Sequence, residues 1–156
     1  MRLNEIKEAL LLWGPPSRQG LAEIKKQIAA SQGLLVLVPE MRPSLLGLEV
    51  ARRLTEEGIE HVYATDNMLG ILFFKQKVKE VFFFYNDLTN RCFSGICGSL
   101  YACLLARLHR VSIKPLPGEK KTHLAPVASP LDEYMSFHYN DMLQEGDEAV
   151  PEQIIR

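Results

Sequence analysis

Polar side chains follow directly after the apolar runs of this 156-residue chain. Such runs suit buried parallel strands, and the residues after parallel strands meet at one edge of the sheet, where ligands bind. Asp87 is the candidate for proton transfer, because a carboxylate just past a fully apolar strand is desolvated unless something pairs with it. The candidates for ligand binding are Ser17, Arg18, Glu40, Arg42, Asp66, Asn67, Asn86, Gly98 and Ser99.

Several of these residues also have an ordinary structural explanation. Ser17 and Asp66 are typical helix N-caps, and Glu40 and Arg42 can pair with each other across a turn. The helix that starts near Gly98 could hold an anion through its free N–H groups. That stretch lacks the Gly-Lys-Ser/Thr ending of a phosphate-binding loop, so the glycine there is weak evidence for a ligand site.

The cysteines and histidines do not follow a metal-binding pattern. Cys92, Cys97 and Cys103 are five and six residues apart, and no histidine completes a zinc-like spacing. We therefore expect no metal and no cofactor. Cys103 is expected in the core, whereas Cys97, at a helix start, could be reactive. An odd number of crowded thiols argues against a disulfide scaffold and favours a reducing cytoplasm.

Charge and hydropathy make two classes of partner improbable. The chain has 18 basic and 19 acidic side chains, which differs from the basic excess of a nucleic-acid-binding protein. Its longest apolar runs, such as 81–85, are far shorter than the roughly 20 residues of a membrane helix. Glu5 and Glu8 interrupt any early apolar run, unlike in a signal peptide. We expect a cytoplasmic protein that binds neither nucleic acid nor membrane.

Apolar strand-like runs alternate with helical spacing along most of the chain. Strands are predicted at 9–13, 34–38, 59–65, 81–85 and 111–116, and helices at 17–31, 45–58, 66–74 and 97–110, with a polar loop at 86–94. The first run could instead end a short helix, and Ser44 could cap the second helix. This alternation predicts an α/β, Rossmann-like, doubly wound, mainly parallel sheet of five or more strands flanked by helices.

The composition changes near the end of the last predicted strand. We expect 1–118 to form the Rossmann-like domain and 119–156 to be an extended C-terminal segment packing on the same domain. Prolines interrupt this segment, and it is acidic over 141–152. Aromatic side chains such as Phe137 could hold it against the domain.

Several sequence blocks are similar to the motifs of one known superfamily. Residues 38–43 with Gly47 match V-x-E-[TS]-R-P-x-x-x-G, and residues 58–59 with 65–68 match G-I…T-D-[NS]-[MA]. Residues 84–87 stand in the place of V-G-A-D, and residues 97–99 stand in the place of I-G-T. Residues 150–155 are similar to V-P-P-E-L-I. On these blocks the chain resembles methylthioribose-1-phosphate isomerase, ribose-1,5-bisphosphate isomerase and the regulatory subunits of translation initiation factor 2B. The resemblance covers nearly the whole chain.

The resemblance implies a Rossmann-like domain that dimerises and binds a phosphosugar or nucleotide at the strand ends. The isomerases of the family use an aspartate, which Asp87 matches, and a cysteine after the first strand. This chain has Trp-Gly-Pro-Pro at 13–16 in the place of that cysteine. The family's substrate-binding Asn-Lys is replaced by Gly95-Ile96, which removes a charged phosphate contact.

These departures leave three functions open. The first is a non-isomerising homodimer that binds a small anionic ligand (a sugar phosphate or a nucleotide) or a protein partner at the strand ends. The second is an active aldose–ketose isomerase that uses Asp87, with Cys92, Cys97 or a partner subunit supplying the missing acid. The third is a pure interaction module, in which the helix that carries Phe73 and Phe74 forms a dimer face.

Overall fold

The computed structural model describes residues 5–89, 92–119 and 136–138. The elements run in the order β1 (Glu8–Trp13), α1 (Arg18–Ala30), β2 (Leu34–Pro39), α2 (Leu46–Glu56), β3 (His61–Ala64), α3 (Met68–Phe74), β4 (Val78–Tyr85), β5 (Asp87–Thr89), β6 (Cys92–Ile96), α4 (Ser99–Leu108), β7 (Ser112–Pro117) and β8 (Ser136–His138). Five strands form a parallel sheet of order β3-β2-β1-β4-β7. This confirms the predicted doubly wound α/β fold.

The order of the strands creates a switch point between β1 and β4. The chain moves outward from β1 through β2 to β3, and then returns to β4 on the other side of β1 and continues to β7. Right-handed crossovers therefore place α1 and α2 on one face of the sheet and α3 and α4 on the other. In sheets of this kind the ligand crevice opens at the carboxyl ends of the two strands that flank the switch point.

The two strands at the switch point form the centre of the core. Leu10, Leu11 and Leu12 of β1 are completely buried. In β4, Phe84 meets Phe82 edge-on at 6.5 Å between ring centroids. Both faces of these strands are covered by helices, so their sequences lack the polar alternation of half-exposed strands. This explains why unbroken apolar runs in the sequence identify the strands correctly.

Of the N-caps predicted for α1 and α2, that of α1 is confirmed and that of α2 is wrong. Ser17 is the N-cap of α1, as predicted, and its hydroxyl accepts a hydrogen bond from the N–H of Gly20 at 3.2 Å. The prediction that Ser44 caps α2 is wrong, because Leu45 is the N-cap and makes no side-chain cap bond. Ser44 lies one residue too early, and its hydroxyl donates to the carbonyl of Met41 instead.

The prediction of a polar loop over 86–94 is also wrong. β5 and β6 form an antiparallel hairpin there, in which Leu88 stands opposite Phe93. The ring of Phe93 is buried and lies 4.8 Å from that of Tyr85. β8 pairs with β6 to complete a three-stranded sheet. Apart from Glu119 and this strand, the segment 119–156 lies outside the described residues.

Candidate functional site

The predicted site residues are distributed along one edge of the parallel sheet. All five strands run the same way, so their last residues share that edge. The predicted residues form groups along it: Ser17 and Arg18 at the start of α1, Glu40, Arg42, Asp66 and Asn67 after β2 and β3, Asn86 and Asp87 after β4, and Gly98 and Ser99 at the start of α4.

The group after β2 and β3 is joined by hydrogen bonds. The two carboxylate oxygens of Asp66 accept from the N–H of Met41 at 2.8 Å and of Arg42 at 2.9 Å. The predicted pair of Glu40 and Arg42 is present, with Arg42 Nε donating to the Glu40 carboxylate at 3.0 Å. The prediction that Asp66 caps α3 is wrong, because the N-cap is Asn67 and both Asp66 oxygens face the loop after β2.

The charges of this group do not suit an anionic ligand. Two carboxylates, Glu40 and Asp66, surround the single guanidinium of Arg42, which leaves one negative charge in excess. The hydrogen bond that Arg42 donates to Glu40 raises the pKa of the Arg42 guanidinium, so this cation is already paired. Burial, followed by the charges of Glu40 and Asp66, raises the pKa of the Tyr63 phenol. The group therefore stabilises its own loop and offers an anion little attraction.

Asp66 compensates for an unfavourable backbone in that loop. Met41 and Leu45 both adopt the left-handed conformation with φ of 56°, which costs roughly 1–2 kcal/mol for each side chain with a Cβ. Such conformations persist where the surrounding contacts hold them in place. The two bonds to Asp66 are contacts of this kind.

Replacing Asp66 with Ala should lower the free energy of unfolding by about 2–3 kcal/mol, because hydrogen bonds to a charged acceptor contribute about 1.5–3 kcal/mol each and a half-buried N–H loses its partner. Asp66→Asn keeps one acceptor oxygen and should lower the free energy of unfolding by about half as much. Asn67→Ala is the matched control, since Asn67 is exposed and makes no cap bond. Urea unfolding measures all three. If Asp66→Ala loses no more stability than the control, Asp66 does not hold the loop after β2.

An aromatic side chain fills the crevice at the switch point. Trp13, the last residue of β1, is 1% exposed, and its indole lies against the backbone of Gly98. A Cβ added to Gly98 would lie 2.5 Å from Trp13 Cζ2. From the other side Met41 reaches in, fully covered, and its Sδ accepts from the N–H of Gly14 at 3.4 Å. An indole and a thioether thus occupy the place where sheets of this type bind ligands.

The start of α4 is packed equally closely. Ser99 is completely buried, and its hydroxyl donates to the carbonyl of Ile96 at 2.6 Å. A Cβ on Gly95 would lie 2.6 Å from Ser99 Oγ and 2.8 Å from the Phe83 ring. The predicted ligand residues Gly98 and Ser99 therefore both serve the packing of this corner, and their ligand contacts remain predictions.

Asp87 is not in the environment that the sequence suggests. It is exposed and stands opposite Ser94 at the start of the β5–β6 hairpin. The carboxylate at this position is therefore not desolvated, because the chain enters the exposed start of β5 directly after β4. Asn86 and Arg18 are exposed as well. A catalytic role for Asp87 remains a prediction.

A shallow cleft opens to solvent beside α2, lined by residues such as Pro16 and Val50. Its cation is Arg53, whose Nη1 donates to the carbonyl of Pro16 and to Glu119, each at 2.8 Å. Because this cation is already paired, the cleft also offers an anion no free charge.

The described ranges contain neither a cluster of metal ligands nor a membrane-spanning helix. Within 5–89, 92–119 and 136–138, no three or more His, Cys, Asp or Glu residues are grouped to hold a metal ion. No helix in those ranges has both the length and the apolar character needed to cross a membrane. Cys103 is buried in α4, as predicted, and Cys97 is half-buried just before that helix.

Trp13 and Met41, the side chains that close the crevice, are not among the site residues predicted from the sequence. The available signal was a large apolar residue at the last position of a buried strand, directly before Gly14-Pro15. Sequence alone shows the residue there but not the direction of its ring. The packing of Trp13 on Gly98, 85 positions away, shows that direction.

The parallel sheet, its switch point and the motif-bearing strand ends define a Rossmann-like domain of the initiation factor and sugar-phosphate isomerase type. The chain belongs to the initiation factor 2 subunit family, whose model matches residues 7–116. This confirms the superfamily that the sequence motifs indicated. A comparison with curated protein sequences gives no significant match.

Three solved structures share the fold. The delta subunit of translation initiation factor eIF-2B from A. fulgidus has a TM-score of 0.61 at 19% identity, covering 72% of this chain and 38% of its own. The 5-methylthioribose 1-phosphate isomerase of Pyrococcus horikoshii OT3 has a TM-score of 0.60 at 15% identity, covering 70% and 33%. The translation initiation factor eIF-2B of the same organism has a TM-score of 0.55 at 17% identity, covering 72% and 43%. This chain thus spans less than half the length of each.

Proposed function

We propose that this chain is a non-isomerising member of the initiation factor 2 subunit family that works as a homodimer, pairing through an apolar face on α3 and α4. The observation that carries the proposal is that this face is exposed while the ligand crevice of the fold is filled. The family includes both factor subunits and isomerases, so the chemistry of this chain's own residues has to discriminate between the two.

The filled crevice argues against isomerase chemistry. An aldose–ketose isomerisation needs groups that take up and release a proton at adjacent carbons. Trp13 stands where the family's isomerases have a cysteine, and an indole N–H donates a hydrogen bond without acting as an acid. A sugar phosphate would have to displace the buried ring, and Asp87 is exposed instead of facing a closed pocket.

The α3/α4 face consists of the outward apolar side chains of these two helices: Met68, Ile71, Phe74, Tyr101, Leu104 and Leu108. Their exposed fractions run from 39% for Met68 to 75% for Leu108. Spacings of three and four residues place them on one side of each helix. The two helices are adjacent, since a Cβ on Gly70 would lie 3.8 Å from Tyr101 Oη. Monomeric proteins rarely expose a continuous apolar patch of this kind.

A second copy of this chain is the partner that the face fits. None of its six side chains is charged, so in a two-fold contact, where a surface meets itself, no like charges are opposed. A large side chain has a surface of roughly 150–250 Å². The exposed parts of these six side chains therefore add up to an area on the order of 600 Å² per copy. A stable interface needs about 800 Å² per partner. The six residues thus supply most of the area that one copy contributes to a stable interface.

Substituting Leu104 with Asp tests the dimer. Wild-type protein should sediment as a dimer, and Leu104→Asp should raise the dimer dissociation constant by at least about 30-fold, or ~2 kcal/mol, because a charge would be buried in the contact. Leu48→Asp is the matched control: Leu48 is 54% exposed on α2, on the opposite side of the sheet, and its variant should remain dimeric. Analytical ultracentrifugation over a dilution series measures all three proteins.

Two outcomes would oppose the proposal. If the wild-type chain is a monomer at millimolar concentration, or if both variants weaken the dimer equally, the α3/α4 face is not the contact. If the protein converts methylthioribose 1-phosphate or ribose 1,5-bisphosphate and Asp87→Asn abolishes that turnover, the isomerase function is correct instead.

A further inference from the structure

The C-terminal ends of α3 and α4 carry positive charge without negative charge. The stretches 68–77 and 99–111, which contain both helices and the turns after them, hold four basic and no acidic side chains. The rings of Phe73 and His109 stack at 5.9 Å between their centroids, so the two helix ends lie side by side. The basic end of the two helices consists of Lys75, Lys77, Arg107 and Arg110.

The basic end is continuous with the exposed apolar side chains of the α3/α4 face. Lys75 Nζ lies 5.7 Å from the centroid of the Phe74 ring, which is 67% exposed. Leu108, at the end of α4, is 75% exposed and stands between two arginines in the sequence. The ion pairs among the described residues include neither Lys75 nor Arg110. A surface that is both basic and apolar fits a partner that is both acidic and apolar.

The chain itself contains a segment of this chemistry. Residues 141–152, the acidic segment, hold five acidic and no basic side chains, together with apolar ones such as Met142 and Leu143. All 18 basic side chains lie outside this segment, so the rest of the chain carries a net positive charge. The segment lies outside the described residues. Its composition complements that of the basic end in both charge and hydropathy.

The acidic segment starts near enough to reach the basic end. β8 pairs with β6 so that Ser136 stands opposite Ile96, three residues before α4 begins. A helix of ten residues such as α4 is about 15 Å long. An extended chain spans about 3.3 Å per residue, so 139–152 can span up to about 46 Å. Tethering of this kind gives a segment an effective concentration of about a millimolar, which favours it over a partner from solution.

We infer that the acidic segment, 141–152, docks on the basic end and covers Phe74 and Leu108, so that it competes with a second copy for the α3/α4 face. The docking depends on complementary charge and apolar contact, whereas the competition rests on the proposed dimer. Exposed ion pairs are screened by salt, since the Debye length falls from about 10 Å at 0.1 M to about 3 Å at 1 M. Salt should therefore release the segment and free the face for the second copy.

Carbodiimide cross-linking of the full-length protein tests the docking whether or not the protein dimerises. The reagent joins carboxylates to amines that are in direct contact. We expect amides between the acidic segment and Lys75 or Lys77 at about 50 mM salt, with a yield at least about 5-fold lower at 1 M. Lys25 and Lys26 of α1, on the other face of the sheet, are the control amines and should couple to the segment much less. A mixture of isotope-labelled and unlabelled copies shows whether each link lies within one copy.

Sedimentation of a neutral-segment variant tests the competition. Its dimer dissociation constant at about 50 mM salt should be at least about 3-fold lower than that of wild type, and the two should agree at 1 M. Neutralising Lys75 and Arg110 to Gln should have the same effect, and combining the two sets should add little, because both remove one contact. The neutral-segment variant carries Asp141→Asn, Glu145→Gln, Asp147→Asn, Glu148→Gln and Glu152→Gln.

The control for general charge effects combines Lys26→Gln with Arg52→Gln. Both side chains are more than 70% exposed on α1 and α2, so this variant removes two positive charges far from the α3/α4 face. Its dissociation constant should equal that of wild type. A decrease as large as that of the neutral-segment variant would overturn the competition.

The remaining outcomes separate the docking from the dimer. Equal coupling of the segment to Lys26 and Lys75, or no coupling to the basic end, would overturn the docking. Links only between different copies, or an unchanged dissociation constant in the neutral-segment variant, would overturn the competition. Binding to phosphatidylserine vesicles that is lost in the Lys75 and Arg110 variant, with no coupling to the segment, would assign the basic end to a membrane surface instead. If wild type and the neutral-segment variant are both monomers at millimolar concentration, the proposed dimer fails, while links within one copy still support the docking.

Discussion

Replacing Gly47 with alanine should lower the free energy of unfolding by about 3 kcal/mol or more. Gly47 lies in the first turn of α2, and a Cβ there would overlap the carbonyl oxygen of Pro39 at the end of β2. The obstacle is backbone, not a side chain that could rotate away. Pro39 is held in the sheet, and the N–H of Gly47 donates to the carbonyl of Glu40 at 3.1 Å.

Gly58→Ala is the control for this substitution. Gly58 follows α2 with φ of +68°, and a Cβ there meets nothing within 4 Å. Only the strain of the left-handed conformation is then added, which costs roughly 1–2 kcal/mol. Urea unfolding followed by circular dichroism compares the two variants. Similar losses would mean that the close approach of α2 to β2 is not the reason for the glycine in the family's R-P-x-x-x-G motif.

Replacing Phe84 with Ala should cost about 3–5 kcal/mol, the usual range for a buried phenylalanine. Phe84 is completely buried in β4 at the switch point. Its ring packs so closely on α1 that a Cβ on Gly20 would lie 2.5 Å from its Cε1. Its carbonyl oxygen would lie 2.5 Å from a Cβ on Gly14. The ring therefore holds the first turns of α1 against the sheet.

Phe74→Ala separates stability from association. Phe74 is 67% exposed on the α3/α4 face, so its removal should change the stability of the monomer by less than about 0.5 kcal/mol. Both substitutions are best measured by urea unfolding in the Leu104→Asp background, where the dimer does not contribute. In the wild-type background Phe74→Ala should instead weaken the dimer. Comparable losses of monomer stability for Phe84→Ala and Phe74→Ala would contradict the burial assigned to the two rings.

The amino-acid sequence by itself determined the class of fold and the family. Strands such as β2 and β4 are buried on both faces, so they appear in the sequence as unbroken apolar runs. Ser17 caps α1 from three residues away, and Glu40 pairs with Arg42 two positions on. These features depend on neighbours within one turn or one strand. Local sequence is sufficient to predict features of that kind.

Only the tertiary structure decided what each strand end does. Asp66 was expected to cap its own helix, but its carboxylate bonds to backbone 24 and 25 positions earlier. Trp13 closes the crevice because the switch point brings β1 beside the start of α4. The direction of a side chain at the end of a strand depends on the residues across the sheet, and these are distant in sequence. For the same reason, the sequence predicts a dimer face on α3, but only the packing of the two helices shows that α4 extends this apolar face.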